Sequence, residues 1–518
     1  MIRLFEIRME LDEESSMAYH KCKKILGTDV CDVRIVKKSI DARNKKDIFY
    51  SCNIECQPIG SIKPRKKLKY IQFEQKKYVF PEKETNKKIL IVGSGPAGLF
   101  SALCLARRGA QPIVIERGGP VEDRVNKVNN FFENAILDTS TNIQFGEGGA
   151  GTFSDGKLNT GVNDERIKFV LNEFVRFGAP ENILYDSAPH IGTDVLRKVV
   201  KNIRQEIINL GGEVLFYTKL SSVNFEDNKL ISAVITDNSG EKVVKCDCMI
   251  LAIGHSARDT IKMLYQNGIT MNKKPFSVGV RIEHKQDWLN KALYSDFADR
   301  LPPAPYKLWT HLKNGNSLYS FCMCPGGYVV NSASEENTVV TNGMSNNSRN
   351  GTNANSAILV NIKYSDENNI FEGMQLQEKL EREAFIAAGS DYKMPVQLLG
   401  DFLINTTSRE IGEINPTIKP GYTFCNLNDI LPLYVSETIK QGVVDFNRKI
   451  NGFSAYDAVL TGPETRSSSP IKILRDKITM QTNISGVYSA GEGGGHAGGI
   501  TSSAVDGIKV AEAIMNLE

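Results

Sequence analysis

The chain of 518 residues has no uninterrupted apolar run approaching the ~18 residues that a membrane-spanning helix requires. A helical membrane protein is therefore not expected. The N-terminus, MIRLFEIRMELDEE, alternates apolar and charged residues from its first turn. It lacks the continuous apolar core of a secretory signal, so a cytoplasmic location is expected. Charge of one sign is also lacking: 63 Lys and Arg stand against 60 Asp and Glu, a net of +3. So small a surplus gives no global argument for a nucleic-acid partner or a membrane surface. The ten cysteines show no spacing of a disulfide framework. Cys52 and Cys56 have no second pair to complete a zinc site, and no metal is expected. Cys246 and Cys248 share one face of an apolar strand and read as core. Free thiols in a reducing compartment fit this pattern. With only six histidines, candidates for acid–base chemistry are few.

Glycine is abundant, and its placement is informative. Residues 89–116 run from an apolar strand into Gly93-x-Gly95-x-x-Gly98, then a helical segment, then a second apolar run ending at Glu116. This strand–turn–helix–strand order, with an acid about 20 residues after the glycines, is that of a dinucleotide-binding unit. Gly93 permits the tight turn. Gly95 leaves room for a pyrophosphate, and Gly98 lets the helix approach the strand. Ser94, Pro96 and Ala97 complete the turn, whose free N–H groups and helix dipole favour phosphate. Glu116, followed by Arg117, is placed to accept hydrogen bonds from a ribose.

At 518 residues, two or three domains are expected. Residues 1–80 read as a small α+β module: a strand in IRLFEIRMEL, a helix ending at Gly27, and strands in DVRIVKKSIDARN and DIFYSCNIEC. A lysine-rich stretch follows, with Lys63, Arg65, Lys66, Lys67, Lys69, Lys76, Lys77, Lys87 and Lys88. Such a run either binds nucleic acid or is a solvated linker face, and the small net charge favours the linker. The dinucleotide unit opens a domain over 86–270. Strand-like runs separated by Asp, Asn and Gly turns fill 212–253. Residues 271–459 lack these glycine motifs but hold FSVGVRIEH, GYVVN and SAILVNIKY, which read as strands of an inserted, mainly β substrate domain. Residues 460–518 close the chain.

Two later segments share the logic of the first turn. Met249–Gly254 is an apolar strand ending in Ala252 and Gly254. Gly486–Glu492 is again a strand running into Gly491 and an acid, Glu492. Together the three segments resemble the FAD-binding domain of two-dinucleotide-binding-fold flavoproteins. The narrower likeness is to uncharacterised FAD-dependent dehydrogenases carrying an N-terminal α+β module. GEGGAGTFSDGKL (146–158), PFSVGVRIEH (275–284), FCMCPGGYVV (321–330), TNGMS (341–345), NANSAI (353–358) and GEGGGHAGGITSSAVDG (491–507) carry it.

The resemblance implies an α/β fold. It has a discontinuous Rossmann-like FAD-binding domain, 86–270 and 460–518, with the substrate domain inserted and the small module in front. It implies FAD as cofactor, with Gly491 and Glu492 beside the ribityl chain and pyrophosphate. Gly498, Gly499, Ile500 and Thr501 then lie near the flavin, under the positive end of the last helix. The common form of this motif ends in Asp, so Glu492 implies a rearranged contact. Gly148, Gly149 and Gly151 let the backbone approach the pyrophosphate or flavin edge, or form a structural loop, and Ser154 and Lys157 add polar groups. No second GxGxxG follows, so a dedicated NAD(P)H domain is not expected, and the electron donor either binds transiently, as NAD(P)H would, or is another molecule.

The catalytic candidates are weaker in sequence. His496 reads as a proton donor, a flavin contact or a polar loop residue, and His284 as an acid or base at a strand end or a hydrogen-bonded structural residue. His255 reads as a turn cap. Cys322 and Cys324, two apart in a strand, point the same way but are poorly placed for a mutual disulfide, and a packed or flavin-adjacent role is favoured over redox action. Arg466 reads as an anion contact or a salt-bridged loop residue. The expected function is an FAD-dependent oxidoreductase passing a hydride or electron pair between a small-molecule substrate and flavin. The alternatives are a flavoprotein acting on RNA or lipid, and a non-catalytic flavin-holding sensor.

Overall fold

A computed structural model of the protein describes residues 1–63, 69–74 and 78–516. Arg65, Lys66, Lys67, Lys76 and Lys77 of the basic stretch lie outside the described residues. Among those described, no helix is long and apolar enough to cross a membrane.

The apolar run Ile89–Val92 is fully buried, as the continuous hydrophobic pattern of a central parallel strand demands. It lies in the middle of a five-stranded sheet ordered Val487–Ser489, Cys248–Leu251, Ile89–Val92, Ile113–Ile115, Glu213–Leu215, with every neighbouring pair parallel. The three glycine-ended strands of the sequence are therefore adjacent, although two of them are separated by the whole insertion. Their glycine ends meet along one edge. Helix Pro96–Ala106 and the closing helix Ile500–Asn516 pack on one face of this sheet. They approach closely: a Cβ at Gly507 would lie 2.1 Å from the Ala97 carbonyl oxygen, and Ser101 Oγ donates to Gly507 O at 2.9 Å. Each fully buried Leu or Phe of the layer, Leu103 and Phe100 among them, contributes roughly 1.5–3 kcal/mol. An antiparallel sheet of Lys219–Glu226, Lys229–Asp237 and Gly240–Lys245 completes this unit.

The insertion leaves and rejoins through a narrow neck, where Met271–Lys273 pairs antiparallel with Ile471–Ile473. Beyond it lies a sheet whose central strands are Ser317–Asn331, Asn353–Asn361, Ser277–Lys285 and Val459–Glu464. Helices Glu372–Ala387 and Leu433–Lys449 pack against the sheet and share its apolar core, so helices and strands occur in similar proportion. The N-terminal module is a sheet ordered Val30–Asp41, Phe49–Pro58, Ile2–Met9, Tyr70–Gln72. Helix Met17–Leu26 packs on it and ends at Gly27, whose φ of 69° forms the left-handed cap. The module docks by backbone bonds from Lys38 N to Tyr185 O (2.7 Å) and from Ser187 N to Lys38 O (2.9 Å).

Candidate functional site

A cavity of about 360 Å³ opens where the glycine ends of the parallel strands face the inserted sheet. Gly93, Gly95, Pro96 and Ala97 form one wall. Gly93 has φ of 104°, and a Cβ there would sit 2.4 Å from the Ala252 carbonyl oxygen. Its N–H bonds Ile115 O at 2.8 Å, which joins the turn to the neighbouring strand. No side chain caps the helix that starts at Pro96, so its positive end is available to an anion in the cavity.

Glu116 lines the same wall. Its Oε2 accepts from Ser94 N (3.0 Å) and Ser94 Oγ (2.8 Å), and its Oε1 from Gly118 N (3.0 Å) and Gly146 N (3.1 Å). Four donors occupy about all the lone-pair sites of a carboxylate, so Glu116 braces the turn, its own strand end and the 142–149 loop. A ribose hydroxyl must share these oxygens. Arg117 is held by Asp259 (2.8 Å) and Thr260 (2.8 Å), with its guanidinium over the Phe145 ring.

The residue that shapes the 142–149 loop is Arg124, which has no exposed surface. Its Nε donates to Asn142 O (2.8 Å) and its Nη2 to Ile143 O (2.7 Å). Its Nη1 donates to Gly146 O, Glu147 O and Gly149 O (3.3, 2.7 and 2.8 Å). One guanidinium thus fixes the curvature of the whole loop. Burial pushes Arg124 down to about 9, which leaves it charged at neutral pH.

The opposite wall mixes the last motif with the insertion. Gly491, Glu492, Gly498, Gly499 and Ile500 line the cavity. Gly491 N donates to Asp506 Oδ2 at 2.8 Å, and Arg475 clamps that carboxylate. Glu492 Oε2 lies 3.5 Å from His255 Nδ1, and His255 Nε2 is buried without a partner among the described residues. Lys157 and Arg349 hold the Asp155 carboxyl at about 2 against its burial. Arg466 is bidentate to Glu381 (2.9 and 2.7 Å) and also donates to Ser334 Oγ and Ser256 Oγ. Arg258 binds the same Glu381, so one buried carboxylate joins the parallel-sheet unit to the insertion. Burial raises Glu381, but the two guanidiniums outweigh it and hold it well below the usual carboxylate range. Arg466 is therefore salt-bridged, and it also lines the cavity.

The structure brings most of the sequence candidates to this cavity. Gly151, Ser154, Lys157, Ala252 and Gly254 line it with those already named. Six candidates stand behind the wall or away from it. Ser94 and Gly98 sit behind the turn, Gly98 with its Cβ position 2.0 Å from Gly93 O. Gly148 is closed off by Thr152 Oγ1, and Thr501 Oγ1 donates to Leu158 O at 2.8 Å. His496 is partly buried, with Nε2 unpartnered and burial pushing the ring down to about 4, but it does not line the cavity.

His284 lies elsewhere. The expectation of an acid or base at a strand end meets a ring 2 % exposed, stacked on Trp288 and against Phe453, with Nε2 bonded to Phe453 O at 2.8 Å. The cause is long-range packing: Phe453 comes from far along the chain. Burial lowers His284 from 6.5 to about 4. The unfolded chain thus binds more protons than the folded one between these values, and stability falls as pH drops through them. Chemical denaturation between about pH 7 and 4 should show on the order of 3 kcal/mol lost through this group. His284→Gln should remove that share of the acid sensitivity; an unchanged pH slope would contradict the assignment. His496 adds to the same window and is unaffected by the substitution.

Two residues test what the cavity takes. A Cβ at Gly95 would meet nothing closer than 4.0 Å, and one at Gly498 would meet nothing within 4 Å. Gly95 has φ of −69°, which any residue adopts. Neither packing nor backbone geometry of the chain requires glycine at Gly95, yet its missing side chain widens the cavity beside an uncapped helix end. These residues fit a dinucleotide.

Comparison with known proteins gives three family matches. One is described as FAD binding domain over residues 86–125, one as FAD-dependent protein, C-terminal domain-like, over 275–467, and one as a domain of unknown function over 1–57. An uncharacterized protein of Clostridium beijerinckii is 44% identical over 528 residues, covering 99% of this chain and 98% of the relative. Solved structures give remoter likenesses. The glycerol-3-phosphate dehydrogenase of Bacillus halodurans complexed with FAD is 12% identical, with 84% of this chain and 66% of that chain covered, at a TM-score of 0.37. A geranylgeranyl bacteriochlorophyll reductase-like protein of Thermoplasma acidophilum is 12% identical, with 83% and 78% covered, at a TM-score of 0.35.

Proposed function

The chain belongs to one family with its uncharacterized Clostridium beijerinckii relative and itself matches the FAD-binding and FAD-dependent family models, and from that premise we propose that it is an FAD-dependent oxidoreductase of a small-molecule substrate. The observation that carries this reading is the cavity itself. One side is glycine backbone and a helix end beside Glu116, and the other is a polar wall from the insertion, with Asn342, Glu464 and Ser467. The first side suits a cofactor held by backbone; the second suits selection of a substrate.

When bound, FAD supplies the two-electron chemistry, and the protein supplies position and field. The turn at Gly93–Gly98 and the helix from Pro96 hold phosphate by N–H groups and dipole. Helix Ile500–Asn516 starts at the cavity, so its positive end stabilises negative charge there. Arg124 and Glu116 keep the 142–149 loop in shape. His255, oriented through Nδ1 toward Glu492, holds or passes a proton at Nε2. The Arg258–Glu381–Arg466 cluster keeps the insertion seated over the cavity.

NADH or NADPH is the expected donor, bound transiently, since the sequence carries no second glycine turn for it. Anaerobic stopped-flow mixing should bleach the flavin absorbance with at least one of the two, with a rate that saturates in donor concentration. A bound flavin that neither nucleotide bleaches faster than buffer would contradict this donor assignment.

A further inference from the structure

The strand Ser317–Asn331 loses its register between Phe321 and Cys324 against its partner Asn353–Asn361. The cause is visible at Cys322, whose φ of 42° is left-handed, a conformation that non-glycine residues seldom keep. The bulge cancels the alternation expected of a flat strand. Cys322 is turned to the cavity wall and is partly exposed, while Cys324 is fully buried behind it. The two thiols are neighbours, and Cys324 Sγ donates to the Cys322 carbonyl oxygen at 3.3 Å. The sequence expectation that these side chains are poorly placed for each other rested on an unbroken strand, which the bulge removes.

The surroundings are cationic at close range. Lys157 donates to Met323 O, between the two cysteines, and Arg281 Nη1 donates to Cys322 O at 3.2 Å. Both cations have carboxylate partners, Asp155 at 2.8 Å from Lys157 and Glu464 at 2.7 Å from Arg281, so the cluster is not left with a large unbalanced charge. The Cys324 thiol, then Lys157 and Arg281, pull Cys322 below the ordinary thiol range against its burial and the Asp155 charge. Cys324 moves the other way and keeps its proton. A thiolate facing a cavity with a thiol against it is the arrangement of an attacking and a resolving cysteine.

We propose that Cys322 and Cys324 form a redox-active dithiol at the cavity wall that exchanges with low-molecular-weight disulfides. Cys322 Sγ, as thiolate, attacks one sulfur of the small disulfide; a mixed disulfide forms and one thiolate leaves. Cys324 then gives up its proton to that departing thiolate, and its sulfur attacks Cys322 Sγ. The mixed disulfide breaks, the Cys322–Cys324 bond closes, and the second thiolate leaves. The dithiol is oxidised by two electrons, and the small disulfide is reduced to one thiol and one thiolate, which takes its proton from solvent. The exchange needs no flavin, so it stands or falls separately from the oxidoreductase reading.

The test uses the full-length holoprotein under anaerobic conditions, with iodoacetamide and glutathione disulfide as probes and peptide mapping by mass spectrometry as readout. At about pH 6, Cys322 should alkylate about tenfold faster than the exposed Cys31. Glutathione disulfide should yield an internal Cys322–Cys324 disulfide, and dithiothreitol should reopen it. In Cys324→Ser the mixed disulfide with glutathione should accumulate on Cys322. Alkylation of Cys322 no faster than that of Cys31, or both thiols remaining reduced in excess glutathione disulfide, would overturn the proposal. Both of these are read on the natural chain, so the answer survives if the serine variant fails to fold.

Discussion

Gly95→Val is expected to leave the fold standing and to cost the protein its cofactor. The chain's own atoms leave that position open, with nothing closer than 4.0 Å to a Cβ, and its backbone is extended. The apo protein should therefore melt within about 0.5 kcal/mol of the natural chain, as ordinary substitutions away from packed features do. The new side chain fills the space beside the uncapped helix end, where a pyrophosphate must come within contact of backbone N–H groups. FAD affinity should fall at least about 100-fold, or roughly 3 kcal/mol. Gly98→Ala, three residues away in the same motif, should give the reverse signature. Its Cβ would lie 2.0 Å from the Gly93 carbonyl, so the helix must shift off the strand. Overpacking of this kind costs roughly 1–3 kcal/mol in stability of the apo protein itself. Paired thermal melts and FAD titrations separate the two. Equal loss of stability in both variants would mean that Gly95 is a packing residue and that the cavity is not read correctly.

The second large effect belongs to Arg124. Arg124→Met keeps much of the buried length and removes all the donors, so the carbonyls of Asn142, Ile143, Gly146, Glu147 and Gly149 lose their partner together. Removing one side of a buried charged network costs about 3–5 kcal/mol. That is a large part of the ~5–15 kcal/mol that holds a typical domain folded. The loop should lose its curvature, and Glu116, which shares Gly146 with it, should lose a donor. Weak FAD binding and a lowered urea midpoint are expected together. Arg124→Lys keeps the charge with three donors instead of five, so it should recover part of the stability and little of the binding. A methionine variant with the midpoint and FAD affinity of the natural chain would show that the loop holds its shape without this residue.

These two positions also mark how far the sequence could be read. Gly93 and Gly98 were legible because each meets a local steric demand that only glycine satisfies, Gly95 because the motif leaves its side-chain space open to a ligand, and the order strand–turn–helix–acid supplies the context. The α/β fold and the FAD cofactor followed from the family resemblance that this order and the glycine ends of the two distant strands carry. Arg124 was not legible. It lies on a helix whose polar residues look solvent-facing, and its partners are main-chain carbonyls, which leave no trace in side-chain identity. Glu116 was placed at the right strand end, but its donors Gly118 and Gly146 act through backbone N–H groups, which the sequence does not display. His284 misled for the converse reason. Its strand position is visible, while Trp288 and Phe453, which enclose it, meet it only in the fold. His255 and Glu492 come from two separate strand ends and become neighbours only because those strands pair in parallel. At Cys322 and Cys324 the period of two was assumed where a left-handed residue breaks it.

The account rests on one claim, that this cavity holds FAD. Isothermal titration of the folded apo protein with FAD, read together with the absorbance of the purified holoprotein, tests it most directly. A yellow protein with one FAD bound per chain is expected, and Gly95→Val should lose that binding. A folded, colourless protein that takes up no FAD on titration would contradict it.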